Sequence, residues 1–281
     1  MELDDAETSR QRRIEQTLSA VLGWLEPRLA LPGRRPLAVG LSAPQGAGKT
    51  TLARRLLARL GERGVRAASV SIDDFYLRRE EQLRLAAAHP GNRYLEHRGA
   101  PGTHDVELGR ATLAALRALG PGAPAGAEVR VPVYDKSLHA GRGDRLAPSR
   151  WARVQGPLEL VLVEGWMLGF QPVAAERDEL AAQPALREVN ERLRAYEAWH
   201  AQLDAMIFLR ADELEDIVRW RIEAEEAAAR AGKSALTREQ IDDYIRRFLP
   251  LYALYSDAAT RGRWAPDRQL ELRLQADRSL R

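Results

Sequence analysis

One stretch of this chain has the residue types and spacing that bind phosphate. Ala43 to Thr51 reads APQGAGKTT, which fits G-x-x-x-x-G-K-[ST] with Ala in the first place. In such a loop the backbone N–H groups of Gln45, Gly46, Ala47 and Gly48 surround a β-phosphate, and the following helix points its N-terminus at the anion. Lys49 is placed to neutralise β/γ-phosphate charge, the Thr50 hydroxyl to reach Mg²⁺, and Thr51 to add a contact at the α-phosphate. The loop predicts a nucleoside triphosphate site.

Two carboxylates carry the next part of the chemistry. Asp73 follows SVSI and Glu164 follows LELVLV, two runs that read as strands. Ligands of open parallel sheets bind beyond the carboxyl ends of the strands, so both acids are expected at the site. Phosphoryl transfer needs one carboxylate to hold Mg²⁺, usually through water, and one to orient or deprotonate the accepting hydroxyl. Glu164 is read as the metal acid, with Thr50, and Asp73 as the base. With Lys49 they form the expected catalytic set. Asp74 reads either as a further acid or as a cap of the next turn.

These residues need a frame, and the flanking pattern supplies one. Leu37–Leu41 (LAVGL) reads as a buried strand, Thr50–Leu60 as an amphipathic helix and Arg66–Ile72 as a second strand. Strand, glycine-rich turn, helix and strand make a βαβ unit and imply a parallel sheet. Residues 10–30, with Ile14, Leu18, Val21, Leu22 and Leu25 at helical spacing, predict an N-terminal helix. Further helices are expected near Glu80–Ala88, at Val106–Leu119, at Leu186–Gln202, at Asp212–Ala231, and from a Thr237–Gln240 capping box to Phe248. Further strands are expected at Val129–Tyr134, Leu158–Val163, Ala205–Leu209 and Gln269–Leu274, with Pro132 pointing to an edge or bulge in the first of these. Residues 73–108 and 135–153 are mostly irregular and rich in Gly, Arg and His. Long irregular stretches within a domain are usually functional loops.

Composition narrows the class. The chain has 281 residues and a formal net charge of +3, too balanced to imply nucleic-acid binding. It holds 40 arginines but only three lysines, Lys49, Lys136 and Lys233. A compact ammonium is not interchangeable with a guanidinium fork, so these three positions stand out. There is no cysteine, hence no disulfide framework or thiolate metal site. The acidic, polar start MELDDAETSR does not fit a signal peptide, and no apolar run approaches the ~18 residues of a membrane span. The expectation is a cytoplasmic protein with a small-molecule substrate and no nucleic-acid, membrane or obligate protein partner.

No lysine follows an asparagine, which excludes the guanine motif of regulatory GTPases, and neither an LSGGQ signature nor a DEAD box is present. SIDDFY, PVYDKS and VEGW resemble the phosphoribulokinase/uridine kinase branch of P-loop kinases. The longer strings SAPQGAGKTTL, SIDDFYL, HPGNRYLEHRGAPGTHD, VPVYDKSLHAGRGDR, LVEGWMLGF and GKSALTREQIDDYIRRFLPLY resemble the D-glycerate 3-kinase family of plants, fungi and cyanobacteria, over about residues 37 to 255. The resemblance implies an α/β fold: a P-loop NTPase three-layer sandwich with a mainly parallel central sheet, helices on both faces and a helical lid. It implies one kinase domain over 1–281, with a core at 37–210, acceptor loops at 73–108 and 135–153, and a lid region at 211–255. It also implies ATP as phosphate donor and a small hydroxy acid as acceptor. Arg98, His104, Asp105, Tyr134, Lys136, Arg142 and Arg145 are then the expected substrate contacts, and Arg219, Arg221 and Lys233 the expected lid cations. A kinase for another hydroxyl acceptor, of nucleoside or pantothenate type, stays open at this stage. So does a non-catalytic ATP-binding regulator.

Overall fold

Leu37–Ser42, Leu160–Gly165 and Ala205–Ala211 are near-continuous apolar runs, the pattern of strands covered on both faces. Residues 2–31, 33, 35–230, 238–261 and 263–281 are described by a computed structural model, side chains excepted at 2–7, 238–240 and 243. The chain begins with α1 (Glu2–Leu29), β1 (Leu37–Ser42), α2 (Lys49–Glu62) and β2 (Ala67–Ser71), then α3 (Arg79–Ala88) and α4 (Val106–Arg117). Four short strands follow, β3 (Glu128–Val131), β4 (Tyr134–Asp135), β5 (Asp144–Arg145) and β6 (Ala152–Gln155), before the long β7 (Leu160–Gly165). Next come α5 (Asp178–Ala182), α6 (Pro184–Arg192), α7 (Glu197–His200) and β8 (Ala205–Ala211). The last elements are α8 (Leu214–Arg230), α9 (Arg238–Arg246), α10 (Leu249–Thr260) and β9 (Gln269–Leu274).

The main sheet is parallel throughout, in the order β2-β7-β1-β8-β9. Side chains alternate across it with the two-residue period of a strand. Val39, Leu41, Leu160, Leu162 and Ile207 face one layer, where Leu18, Val21 and Leu25 of α1 and Leu52, Leu56 and Leu60 of α2 pack. Ala38, Val161, Val163, Met206 and Phe208 face the other, with Leu113 and Leu116 of α4, Val189 of α6, Ile217 of α8 and Tyr255 of α10. The expected three-layer α/β architecture is therefore present. Among the described residues no helix is long and apolar enough to cross a membrane.

The differences from expectation lie in short polar elements. Val129–Tyr134 is not one strand: β3 stops before Pro132, which has no N–H to donate. The irregular reading of 135–153 also gives way, because β5 and β6 pair antiparallel with β4 and β3. Their sequences, DR and ARVQ, are too short and polar to show a period. The helix expected at 186–202 is α6 and α7 joined by a 3₁₀ turn at Leu193–Tyr196. The helix expected to end near Phe248 is followed by α10, whose Pro250 sits in its first turn, where a missing N–H costs nothing. Thr237 and the side chains of the capping box expected at Thr237–Gln240 lie outside the described residues.

Leu56 is fully buried between α2 and the sheet. Leu56→Ala is expected to destabilise the fold by about 3 kcal/mol, read as a lowered denaturation midpoint at unchanged m-value.

Candidate active site

The order of the strands sets the site. β1 lies between β7 and β8, so the loop leaving β1 stands beside the carboxyl end of β7, and β2 is the neighbour of β7 on the far side. The phosphate loop leaves β1 with the Ala43 N–H bonded to the Gly165 carbonyl at 3.1 Å, which ties it to the end of β7. Ala43 is buried and keeps an ordinary backbone conformation, so Ala serves where the motif usually has Gly. Gly46 and Gly48 have φ of 80° and 88°, left-handed values that favour glycine. A Cβ on Gly46 would lie 2.5 Å from the Trp220 carbonyl, so α8 rests directly on the loop. Lys49 opens α2 behind Gly48.

Two distant residues hold this loop. The Gln45 N–H donates to the Tyr252 hydroxyl at 3.0 Å. Arg278 donates to the Gly46 carbonyl at 3.1 Å and pairs with Glu223 of α8 at 2.7 Å. Tyr252 lay inside a motif singled out in the sequence, while nothing local marked Arg278 among the arginines.

Across from the loop, Thr50 donates to Glu164 Oε1 at 3.4 Å. Glu164 Oε2 is buried without a partner, and burial raises the pKa of this carboxyl. An orphaned carboxylate oxygen beside a hydroxyl, at the mouth of a phosphate loop, fits a hard divalent cation. Among the described residues no three or more His, Cys, Asp or Glu side chains form a metal cage. Mg²⁺ normally takes only one or two carboxylates and leaves its other positions to water and phosphate oxygens.

Asp73 sits in the 3₁₀ turn Ile72–Phe75 that ends β2, with its N–H donating to Ser71 Oγ at 3.3 Å. Lys136 Nζ donates to Asp73 Oδ2 at 2.5 Å, and the Asp73 charge adds to burial in raising the pKa of Tyr76. Burial works to raise the Asp73 pKa, but the charges of Lys136 and Lys49 outweigh it and hold the group well below the usual range. Asp74 goes the other way. Burial, aided by the charges of Asp73 and Glu164, pushes it up to about 6 despite its hydrogen bond from the Tyr134 N–H.

The expected acceptor contacts separate into three kinds. Lys136 reaches Asp73. Tyr134 and His104 flank Tyr76, with ring centroids 5.3 and 4.4 Å from it. His104 is buried, its Nδ1 lies 2.7 Å from the Tyr196 hydroxyl, and burial lowers its pKa to about 4, which keeps it neutral. Its Nε2 is buried without a partner. The remaining residues tie the loops together. Asp105 caps α4 through the Leu108 N–H and pairs with Arg145 at 3.1 Å, where the Arg145 side chain is only 6% exposed. Arg98 donates to the Gly141 and Arg142 carbonyls, and the Arg142 guanidinium meets His97.

Of the expected lid cations, Arg219 is exposed and paired with Asp216, while Arg221 pairs with Glu225 and lies over the Tyr244 ring at 5.6 Å. Arg221 Nε is buried without a partner, so this guanidinium keeps one donor uncommitted at the helix that touches Gly46. Lys233 lies outside the described residues.

No family model matches the chain. It is 40% identical over 241 residues to the chloroplastic D-glycerate 3-kinase of Arabidopsis thaliana, covering 83% of this chain and 52% of that protein. The chain thus spans about half the length of this plant relative. It is also 32% identical to an uncharacterized kinase of Schizosaccharomyces pombe, with 86% and 88% of the two chains covered. Among solved structures, D-glycerate 3-kinase from Cryptococcus neoformans superposes with a TM-score of 0.83 at 30% identity, covering 95% of this chain and 97% of the other.

The raised pKa of Asp74 has a measurable consequence. An acid whose folded pKa lies above its unfolded value loses stability as pH rises from about 3.8 to about 6. Asp74→Asn keeps an acceptor for the Tyr134 N–H and removes that loss. In thermal unfolding the variant is expected to be more stable than the wild type at pH 8, with the gain vanishing below about pH 4.

Proposed function

The chain belongs to the D-glycerate 3-kinase family of P-loop kinases, and from that premise we propose that it transfers the γ-phosphoryl group of ATP to the 3-hydroxyl of D-glycerate. The observation that carries this reading is the position of Asp73. A strand-end carboxylate feels the charge of Lys49 from the phosphate loop and bonds Lys136 from a cation-rich loop. A nucleotide sensor needs only the first half of that arrangement.

The residues divide the work as follows. The loop from Gln45 to Thr51 binds the triphosphate, with Lys49 on the β/γ-phosphates. Thr50 and Glu164 would hold Mg²⁺, which supplies charge neutralisation at the transferring phosphoryl group when bound. Asp73 orients the acceptor hydroxyl and takes its proton. Lys136, beside the base, is the cation placed to meet the acceptor carboxylate. His104, neutral through burial and within reach of the charge of Asp73, keeps an unpartnered Nε2 and is proposed to offer it to a substrate hydroxyl. Tyr134 walls this pocket. Asp105, Arg145, Arg98 and Arg142 act on the acceptor by fixing the two loops that carry these contacts. Arg221, with an uncommitted Nε on the helix whose backbone touches Gly46, is proposed to reach the transferring phosphoryl group, and Arg219 and Lys233 to serve the same lid.

An ADP-release screen over D-glycerate, L-glycerate, uridine, cytidine, pantothenate and ribulose 5-phosphate tests the assignment. D-Glycerate is expected to give the largest release above the acceptor-free background. No release with D-glycerate removes this acceptor, and release with a nucleoside or pantothenate alone selects the other kinase class.

A further inference from the structure

Four cations were expected among the acceptor contacts, and three of them are tied to groups of the loops themselves. Arg145 is buried against Asp105, with Glu81 at 3.8 Å. Arg98 is spent on two backbone carbonyls, and Arg142 meets His97. Lys136 differs in kind: its side chain is 56% exposed, and its ion pair is with the base itself. A carboxylate whose lone pair is held by an ammonium at 2.5 Å is a poor acceptor for a substrate proton.

We propose that Lys136 is an acceptor-operated mask on Asp73, seated on the base in the empty site and drawn off only by an acceptor that carries its own anion. The proposal rests on the reading of Asp73 as the base. The backbone around the lysine is fixed: the Tyr134 N–H is bonded to Asp74, and Ser137 bonds Asp135 through its N–H at 2.9 Å and its hydroxyl at 2.6 Å. Unmasking is therefore a side-chain swing, which a flexible four-carbon stem with three rotatable donors allows. Other charged or titratable groups that interact with Asp73 are Lys49, His104, Asp74, Glu164, Tyr76 and Tyr252. Once a triphosphate takes the charge of Lys49, the Lys136 ammonium is the cation left on the carboxylate.

The acceptor carboxylate then does two things at once. It pairs with Lys136 and so seats the acceptor, and it frees an Asp73 oxygen beside the hydroxyl. The acceptor O–H bond breaks, with its proton passing to Asp73. The hydroxyl oxygen forms a bond to the γ-phosphorus, and the bond from that phosphorus to the β–γ bridging oxygen breaks, its electron pair leaving on ADP. Water has no anion with which to lift the mask, so hydrolysis of ATP stays slow. An uncharged polyol is rejected for the same reason.

The test compares MgATP hydrolysis without acceptor in the wild type, in Lys136→Met and in Lys136→Met/Asp73→Asn, each checked for folding by thermal unfolding and for ADP binding. Lys136→Met is expected to hydrolyse ATP about tenfold faster than the wild type or more, and the double variant to fall back to the wild-type rate or below. A Lys136→Met variant that binds ADP yet hydrolyses ATP no faster than the wild type overturns the proposal. So does a double variant that keeps the rise. The wild type supplies a second measurement: D-lactate, an anion without the 3-hydroxyl, is expected to accelerate hydrolysis where glycerol does not, and equal acceleration by glycerol overturns the mask. A wild type inactive on D-glycerate removes the acceptor assigned above but leaves the comparison of hydrolysis rates standing.

Discussion

The ion pair between Lys136 and Asp73 joins the two halves of this molecule's chemistry. One partner ends a strand of the rigid sheet, and the other extends from a loop that a minor hairpin holds in place. Lys49, Asp74 and Glu164 stand close around them, Glu164 buried and the others partly open to solvent. Charges so close do not act independently. The two ammonium groups hold Asp73 ionised, and that fixed negative charge is part of what keeps Asp74 protonated to higher pH. Titratable neighbours whose environments push them apart in this way are typical of catalytic sites.

The sheet order makes this crowding possible. Because β7 lies between β1 and β2, the carboxyl ends of three adjacent parallel strands deliver the phosphate loop, Glu164 and Asp73 to one edge. The acceptor loops are then hung from that edge by specific ties: Asp74 to the Tyr134 N–H, Asp105 to Arg145, and the Asp144 carboxylate to the Arg79 N–H. The nucleotide side is held differently, since α8 sits on Gly46 through backbone contact and Arg278 binds both.

The phosphate loop and both strand-end acids were legible because their chemistry is carried by short, contiguous motifs flanked by strong apolar periodicity. Expected and observed strands differ most where the strands are short and polar. DR and ARVQ carry no burial signal, and their pairing depends on a chain that returns to itself. In the loops at 73–108 and 135–153 residue type alone did not show which side chains pair with each other. Asp105 and Arg145 have the expected charges, yet they face each other. The supports of the phosphate loop were the least legible. Tyr252 lies 207 residues from Gln45 in sequence and Arg278 lies 232 from Gly46, distances over which no local pattern can act.

The central claim is that Asp73 acts on the acceptor and not on the nucleotide. Calorimetric titration of MgATP into Asp73→Asn, paired with single-turnover transfer to D-glycerate, separates the two. The account predicts ATP affinity close to that of the wild type and a transfer rate lower by about 10²–10⁴-fold. Near-normal transfer by Asp73→Asn, or a loss confined to ATP binding, would contradict it.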